Sequence, residues 1–221
     1  MKNIRDLTIR DKRVLMRVDF NVPLDEHGNI TQDTRIRGAL PTIEYALKQQ
    51  AKVILCSHLG RPKGKRNEQF SLRPVAARLS ELLNREVKTA ADCVGEAARQ
   101  AVADLKGGEV LLLENLRFHP EETENDEGFS RRLAELAEVY INDAFAVSHR
   151  AHASVVGVTR YLPERGAGLL LQKEMDYFHR AIENPRRPLA AIVGGAKVSG
   201  KLEALSNMMD RVDKLLIGGA M

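Results

Sequence analysis

Residues 14–23 read VLMRVDFNVP, a run of apolar side chains that passes into polar residues and a turn at Pro23. A short apolar run that ends at a turn signal is typical of a strand buried on both faces, and we predict one over 14–20. Similar runs predict further strands over 52–56, 109–113, 139–142, 189–193 and 214–217.

Segments with a helical pattern lie between the first three of these apolar runs. Apolar residues recur at helical spacing from Ile36 to Leu47 and again from Leu72 to Leu83. Strands that alternate with helices favour an α/β fold, in which a parallel sheet has helices on both faces, because each parallel crossover needs a covering element.

A domain boundary is predicted after Arg160, where Pro163, Gly166 and Gly168 interrupt the apolar pattern. An amphipathic helix follows and ends at Asn184 and Pro185. Its apolar stripe consists of Leu171, Met175, Phe178 and Ile182. This helix is either one more crossover or a connector between two lobes.

Composition excludes several classes of protein. The 221 residues are 43% hydrophobic and 29% charged, which is typical of a globular protein and not of a disordered one. Lys and Arg outnumber Asp and Glu by only 34 to 30, without the basic run of a nucleic-acid-binding arm. No apolar segment approaches the roughly 20 residues of a membrane span. The two cysteines, Cys56 and Cys93, have no metal-site spacing, so we expect no bound metal, free thiols and a cytoplasmic location.

Basic residues follow each of the first four predicted strands. They are Arg35, then His58 and Arg61 in SHLGRP, then Arg117 and His119 in ENLRFHP, then His149, Arg150 and His152 in DAFAVSHRAH. Open parallel sheets bind ligands beyond the carboxyl ends of their strands. Because Arg matches carboxylate and phosphate groups with a planar fork, the pattern predicts a site for a small molecule that carries both.

Two groups of polar residues at these strand ends leave alternatives open. Asp19 and Asn21 lie on one face and either accept a hydrogen bond from a substrate hydroxyl or serve the protein, Asp19 as an arginine partner and Asn21 in the turn. His58, His149 and His152 either donate to phosphate or brace their loops.

The segment 195–201, GAKVSGK, follows a predicted strand and matches part of the Walker A phosphate-binding pattern. Leu202 stands where that pattern requires Ser or Thr, so the match is partial. Lys197 and Lys201 lie one turn apart at a predicted helix start, where cations oppose the helix dipole. They either bind phosphate or belong to a solvated first turn.

Six sequence blocks, in order, resemble the signature blocks of the phosphoglycerate kinase family. They read RVDFNVP (17–23), TRI (34–36), SHLGRP (57–62), ENLRFH (114–119), NDAF with SHRAH (142–152) and VGGAKVSGK (193–201). Their order and spacing match across nearly the whole chain. Departures from the family pattern are Ala146, Val147 and Ala220.

The resemblance implies a Rossmann-like substrate lobe and the site residues of a phosphoglycerate kinase, which moves a phosphoryl group between 1,3-bisphosphoglycerate and ADP. The implied substrate-binding residues are Asp19, Phe20, Asn21, Arg35, His58, Leu59, Gly60, Arg61, Arg117 and Arg150. The implied catalytic residues are Arg35, Lys197 and Lys201. The nucleotide is expected near Gly194, Gly195, Ala196, Lys197 and Lys201.

The resemblance also implies a division of the chain into a phosphoglycerate-binding domain (1–167), a connecting hinge helix (168–185) and the beginning of an incomplete nucleotide-binding lobe (186–221). The cosubstrate is ATP or ADP with Mg²⁺, and the metal-holding residues are expected in later family blocks outside these 221 residues. No nucleic acid or membrane partner is expected. The full-length form is expected to be a monomer, and an unfinished sheet edge favours self-association of the shorter chain.

Two alternatives to the kinase interpretation remain at this stage. The chain is a binder of 3-phosphoglycerate that lacks turnover, or it is a P-loop NTPase built on the partial Walker pattern.

Overall fold

The computed structural model describes residues 2–182, 185–194 and 202–219. The chain divides into two compact units, Met1–Gln172 and Lys173–Met221. The finer division at 167 and 185 stays a prediction.

The first unit is built on a parallel sheet. Its strands are β1 (Arg13–Arg17), β2 (Lys52–Cys56), β3 (Val87–Thr89), β4 (Val110–Leu112), β5 (Val139–Asn142) and β6 (Arg165–Ala167). They lie in the order β3-β4-β2-β1-β5-β6, and every neighbouring pair is parallel. The predicted parallel α/β architecture is confirmed. Because β1 lies between β2 and β5, the loops that leave these strands meet at one edge of the sheet.

Helices cover both faces of this sheet. They are α1 (Thr34–Lys48) and α2 (Arg73–Leu83) on one face, and α3 (Gly95–Ala103) and α5 (Glu127–Ala134) on the other. The short helix α4 (Pro120–Glu124) precedes α5, and α6 (Leu169–Ile182) begins in this unit and continues into the second. Successive side chains of a strand point to opposite faces. Val14 and Met16 therefore belong to the core formed with α1 and α2, whereas Leu15 belongs to the core formed with α3 and α5. This double burial explains why the strands read as continuous apolar runs.

The structure corrects the predicted strands at three places. The first strand ends at Arg17 rather than at residue 20. The strands β3 and β6 were not predicted, since their sequences, VKT and RGA, lack an apolar run. Both lie at the edges of the sheet, where fewer neighbours demand apolar side chains.

Asp143 holds the first turn of α6. Its Oδ1 accepts hydrogen bonds from the backbone N–H groups of Leu170 and Leu171, at 2.9 and 3.0 Å. These groups have no partner inside a helix, so a buried carboxylate stabilises them. Gly168 gives this carboxylate its space, because a Cβ at position 168 would lie 2.1 Å from Asp143 Oδ1.

The second unit contains β7 (Ala190–Gly194), α7 (Leu202–Met209) and β8 (Lys214–Gly218), and the two strands pair in parallel. Asp213 Oδ2 accepts from the backbone N–H of Leu189 at 2.6 Å and pairs with Arg187 Nη1 at 2.9 Å. The strand residues Ile192 and Ile217 are exposed.

Within the described ranges, none of the helices combines the length and apolar character that crossing a membrane requires.

We predict that Gly168→Ala lowers the free energy of unfolding by about 2 kcal/mol or more, because the new methyl group displaces the carboxylate that caps α6. Urea denaturation of the 221-residue chain measures this loss. Gly38→Ala is the matched control, since a Cβ there would meet only Leu170 Cδ2 at 3.4 Å and would improve helix propensity in α1. Equal stability of the two variants would contradict this role of Gly168.

Candidate functional site

A cationic cavity lies where the loops after β2, β4 and β5 meet. Its volume is about 380 Å³. Its lining residues are Arg61, Lys63, Gly64, Arg117, His119, Pro120, Thr123, Arg150 and His152. No carboxylate occurs among these lining residues in the described part of the chain. Of the four arginines that were predicted to converge, Arg61, Arg117 and Arg150 line this cavity, whereas Arg35 does not.

The positive charges of this cavity act on one another. Burial, followed by the charges of Arg150 and Arg17, lowers the pKa of the Arg117 guanidinium. The part of this shift that comes from Arg150 and Arg17 reflects a repulsion between like charges that a bound anion would relieve. Arg117 Nη1 also donates to the carbonyl oxygen of Gly60 at 2.9 Å, which joins the loop after β4 to the loop after β2.

A buried charge network lies behind the cavity. Arg17, at the end of β1, and Glu122, on α4, are each only 1% exposed. Arg17 Nε donates to Ser154 Oγ at 3.0 Å, and this hydroxyl donates to Glu122 Oε1 at 2.6 Å. The backbone N–H of Ser154 donates to Glu122 Oε2 at 2.9 Å. The positive and negative charges are thus linked through one serine, which limits the cost of burying them.

His58 is in contact with this network. The ring is 4% exposed, and its Nδ1 lies 3.0 Å from Arg17 Nη2. Burial, together with the positive charges of Arg17, Arg117, Arg150 and His152, lowers the pKa of His58 to about 2. The ring is therefore neutral near pH 7.

Asn115 fixes the loop after β2 against the loop after β4. Its Oδ1 accepts from the backbone N–H groups of Leu59 and Arg117, at 3.2 and 3.0 Å. Its Nδ2 donates to the carbonyl oxygens of Leu59 and Phe70, at 2.8 and 2.9 Å. One buried amide thereby satisfies several loop groups and sets where Arg117 leaves the backbone.

Asp19 and Arg35 form an ion pair with each other. The backbone N–H of Phe20 donates to Ser57 Oγ at 2.9 Å, and Asn21 Oδ1 accepts from the N–H of Gly60 at 2.8 Å. Asn21, Leu59 and Gly60 line a second cavity of about 640 Å³. Among the described residues, neither Asp19 nor Arg35 lines the cationic cavity. Asp19 is thus the partner of an arginine, one of the two roles that the sequence left open, whereas the Asn21 side chain contacts the loop after β2 rather than its own turn.

Gly60 adopts a left-handed conformation, with φ of +61°. A Cβ at this position would lie 2.4 Å from the ring of Phe70. Glycine is therefore required on both counts, and it keeps the backbone between the two cavities free of a side chain.

The predicted nucleotide-side residues are mostly outside the described ranges. Gly194 ends β7. Gly195, Ala196, Lys197 and Lys201 lie outside the residues that the structure describes.

Ligand atoms of Asp92, Cys93 and His119 lie within 4.8 Å of one another. His119 Nε2 and Asp92 Oδ1 are 2.7 Å apart, and this hydrogen bond raises the pKa of His119. Burial raises the pKa of the Cys93 thiol well above its usual range. Within this cluster the His119 ring and the Asp92 carboxylate thus satisfy each other.

Arg17, Glu122 and Ser154, which form the buried network behind the cavity, were not predicted from the sequence as part of the site. Arg17 carried a usable signal, because a charged residue inside a buried apolar strand requires a partner. The sequence around Glu122 gives no such signal, since the acidic run PEETE is typical of a solvent-exposed helix start.

Comparison with known proteins identifies one family. The family model described as phosphoglycerate kinase matches residues 4–221. The chain is 60% identical over 221 residues to a phosphoglycerate kinase of Desulfotalea psychrophila. The match covers 100% of this chain and 56% of that protein. The chain is also 60% identical over 220 residues to a phosphoglycerate kinase of Aquifex aeolicus, with coverage of 100% and 55%.

Solved structures show the same relationship. The phosphoglycerate kinase of Pyrococcus horikoshii matches with a TM-score of 0.90 and 36% identity, and the match covers 99% of this chain and 55% of that one. The phosphoglycerate kinase of Coxiella burnetii matches with a TM-score of 0.85 and 43% identity, over 99% and 54%. The chain spans about half the length of the relatives that it matches.

We predict that Glu122→Gln lowers the free energy of unfolding by about 3 kcal/mol, because it leaves the buried charge of Arg17 without compensation. Chemical denaturation at pH 7 measures this loss. Glu124→Gln removes an exposed carboxylate from the same helix and is expected to change stability by less than about 0.5 kcal/mol. Losses of similar size in both variants would show that Glu122 does not balance Arg17.

Proposed function

Because this chain belongs to the phosphoglycerate kinase family, we propose that its first unit binds the non-transferred phosphate of 3-phosphoglycerate or 1,3-bisphosphoglycerate in the cationic cavity. We propose further that it serves the reversible transfer of a phosphoryl group between 1,3-bisphosphoglycerate and ADP, which gives 3-phosphoglycerate and ATP in glycolysis.

One observation supports this function best. None of the described residues that line the cavity carries a carboxylate. Arg61, Arg117 and Arg150 line a space of about 380 Å³, with Lys63 beside them. Guanidinium groups form charge-assisted, bidentate hydrogen bonds with phosphate. Three of them around one small cavity favour a phosphate group over a neutral ligand.

The glycerate part of the substrate is assigned to the residues that follow β1. In this proposal Asp19 and Asn21 bind the hydroxyl and carboxylate region, Phe20, Leu59 and Gly60 form the adjoining wall, and Arg35 reaches the transferring group. The ion pair between Asp19 and Arg35 supports this assignment, because it keeps Arg35 at the end of β1. It also offsets the acidic charge that would otherwise repel a phosphorylated ligand.

Phosphoryl transfer from an acyl phosphate requires mainly position and fixed positive charge. The transferring group spreads negative charge over its oxygens, and no general base is needed to activate a carboxylate acceptor. Arg35, Lys197 and Lys201 are the residues proposed to stabilise this charge, with Gly194, Gly195 and Ala196 proposed beside the nucleotide.

Mg²⁺ accompanies ADP and ATP as part of the cosubstrate in this proposal. Mg²⁺ prefers carboxylate and water oxygens, and it dehydrates reluctantly. The cationic cavity, whose described lining offers Arg, Lys and His, does not fit this preference. In this proposal Mg²⁺ therefore binds together with the nucleotide, and the cationic cavity binds the substrate phosphate.

The protein's setting is also part of the proposal. Cys56 and Cys93 are buried free thiols, which fits a reducing cytoplasm. Small-molecule substrates are the proposed partners, and the exposed Ile192 and Ile217 of the second unit favour self-association of this chain.

Calorimetric titration of the 221-residue chain with 3-phosphoglycerate tests the proposed site. We expect Arg61→Ala and Arg150→Ala each to weaken binding by about 2 kcal/mol, a roughly 30-fold loss, because each removes a charge-assisted contact. Arg99→Ala is the control, since Arg99 pairs with the exposed Glu96 on α3 and should leave affinity unchanged.

Unchanged affinity in both cavity variants would overturn the proposed site. A coupled ATP-forming assay on the same preparations separates turnover from binding alone. ATP hydrolysis without phosphoglycerate would instead favour a P-loop NTPase.

A further inference from the structure

The contact between Arg17 and His58 determines which ring nitrogen of His58 carries its proton. Arg17 Nη2 lies 3.0 Å from His58 Nδ1, and both side chains are buried. A guanidinium group stays charged in proteins and has no acceptor, so it can only donate. His58 Nδ1 must therefore accept. In a neutral imidazole the other nitrogen, Nε2, then carries the hydrogen.

Arg17 has no freedom to make a different contact. Its Nε donates to Ser154 Oγ at 3.0 Å, and its Nη1 donates to the carbonyl oxygen of Val18. Ser154 is in turn held by Glu122 through its hydroxyl and its backbone N–H. The contacts to Ser154, Val18 and His58 thus use three of its five N–H groups and fix the guanidinium plane, with one N–H of Nη2 aimed at His58.

The opposite end of the His58 ring carries the nitrogen that the Arg17 contact leaves unused, and His58 itself is not among the described residues that line the cationic cavity. Nε2 has no hydrogen-bond partner among the residues that the structure describes, and protein atoms do not enclose it completely. The charged groups that act on the ring are Arg17 behind it, Arg117 after β4, and Arg150 and His152 after β5. The last three line the cationic cavity.

We propose that Arg17 is a positioning residue that holds His58 as the Nε2–H tautomer, so that the ring meets the substrate phosphate as a neutral hydrogen-bond donor. The phosphate part of this inference rests on the proposed function. The tautomer part rests only on the geometry of Arg17 and His58.

This assignment separates two kinds of phosphate contact in one site. The arginines supply charge, and His58 supplies direction without adding a further buried cation beside them. Burial and the surrounding positive charges lower the pKa of His58 to about 2. The ring therefore stays a neutral donor from pH 5 upward, and the pH dependence of ligand binding should carry no His58 step between pH 5 and pH 8.

Long-range ¹H–¹⁵N NMR correlation on the free, ¹⁵N-labelled 221-residue chain reads the tautomer directly, and His58→Gln identifies the His58 signals. We expect an unprotonated Nδ1 and a protonated Nε2 at every pH from 5 to 8. An Nδ1–H tautomer, or a ring that becomes charged within this range, would overturn the proposal.

The double variant Arg17→Met with Glu122→Gln tests whether Arg17 is the cause, because it removes both members of the buried charge network together. We expect a mixture of His58 tautomers, a rise in the pKa of His58 and a loss of 3-phosphoglycerate affinity of about tenfold. A ring that remains wholly Nε2–H in this variant would refute the role of Arg17.

The matched control is Arg13→Met with Glu138→Gln. Arg13 lies on the same strand and pairs with Glu138 at 3.2 Å, but both side chains are partly exposed. We expect neither the tautomer nor the affinity to change. If the wild-type ring is Nε2–H but 3-phosphoglycerate does not bind, the proposed function is wrong, while the tautomer assignment stands.

Discussion

The burial of the Arg17 guanidinium is the constraint on which the candidate site depends. A full positive charge at the end of the central strand is stable in the interior only when it is hydrogen-bonded and balanced by an opposite charge. Ser154 Oγ accepts from Arg17 Nε and donates to Glu122 Oε1, the carbonyl of Val18 accepts from Nη1, and Nδ1 of His58 accepts from Nη2. The end of β1, the start of α4 and the loops after β2 and β5 are thereby joined through one side chain.

The cationic cavity is possible because this network lies behind it. Arg61, Arg117 and Arg150 repel one another, and the carboxylate of Glu122 is the buried negative charge that opposes them. Asn115 and the backbone of Gly60 hold Arg117 at the cavity without placing a carboxylate in its described lining. The site therefore keeps an excess of positive charge that a phosphate would complete, whereas a direct Arg–carboxylate pair at the lining would cancel it.

Periodicity and strand-end chemistry were sufficient to predict the parallel α/β architecture and the convergence of Arg61, Arg117 and Arg150. They failed for β3 and β6, whose pairing depends on neighbouring strands rather than on their own residues. They also failed for Glu122 and Ser154, because the burial of these residues depends on tertiary contacts with Arg17. Asp19 shows a third limit, since its sequence context left open whether it serves a ligand or an arginine, and the ion pair with Arg35 appears only in three dimensions.

A crystal structure of the 221-residue chain with 3-phosphoglycerate tests the central claim most directly. The account predicts a phosphate in the cationic cavity, with its oxygens within hydrogen-bond distance of Arg61, Arg117 and Arg150 and of His58 Nε2, while His58 Nδ1 keeps its contact with Arg17. A phosphate bound elsewhere on the chain, or a His58 ring that turns Nδ1 toward the phosphate and abandons Arg17, would contradict it.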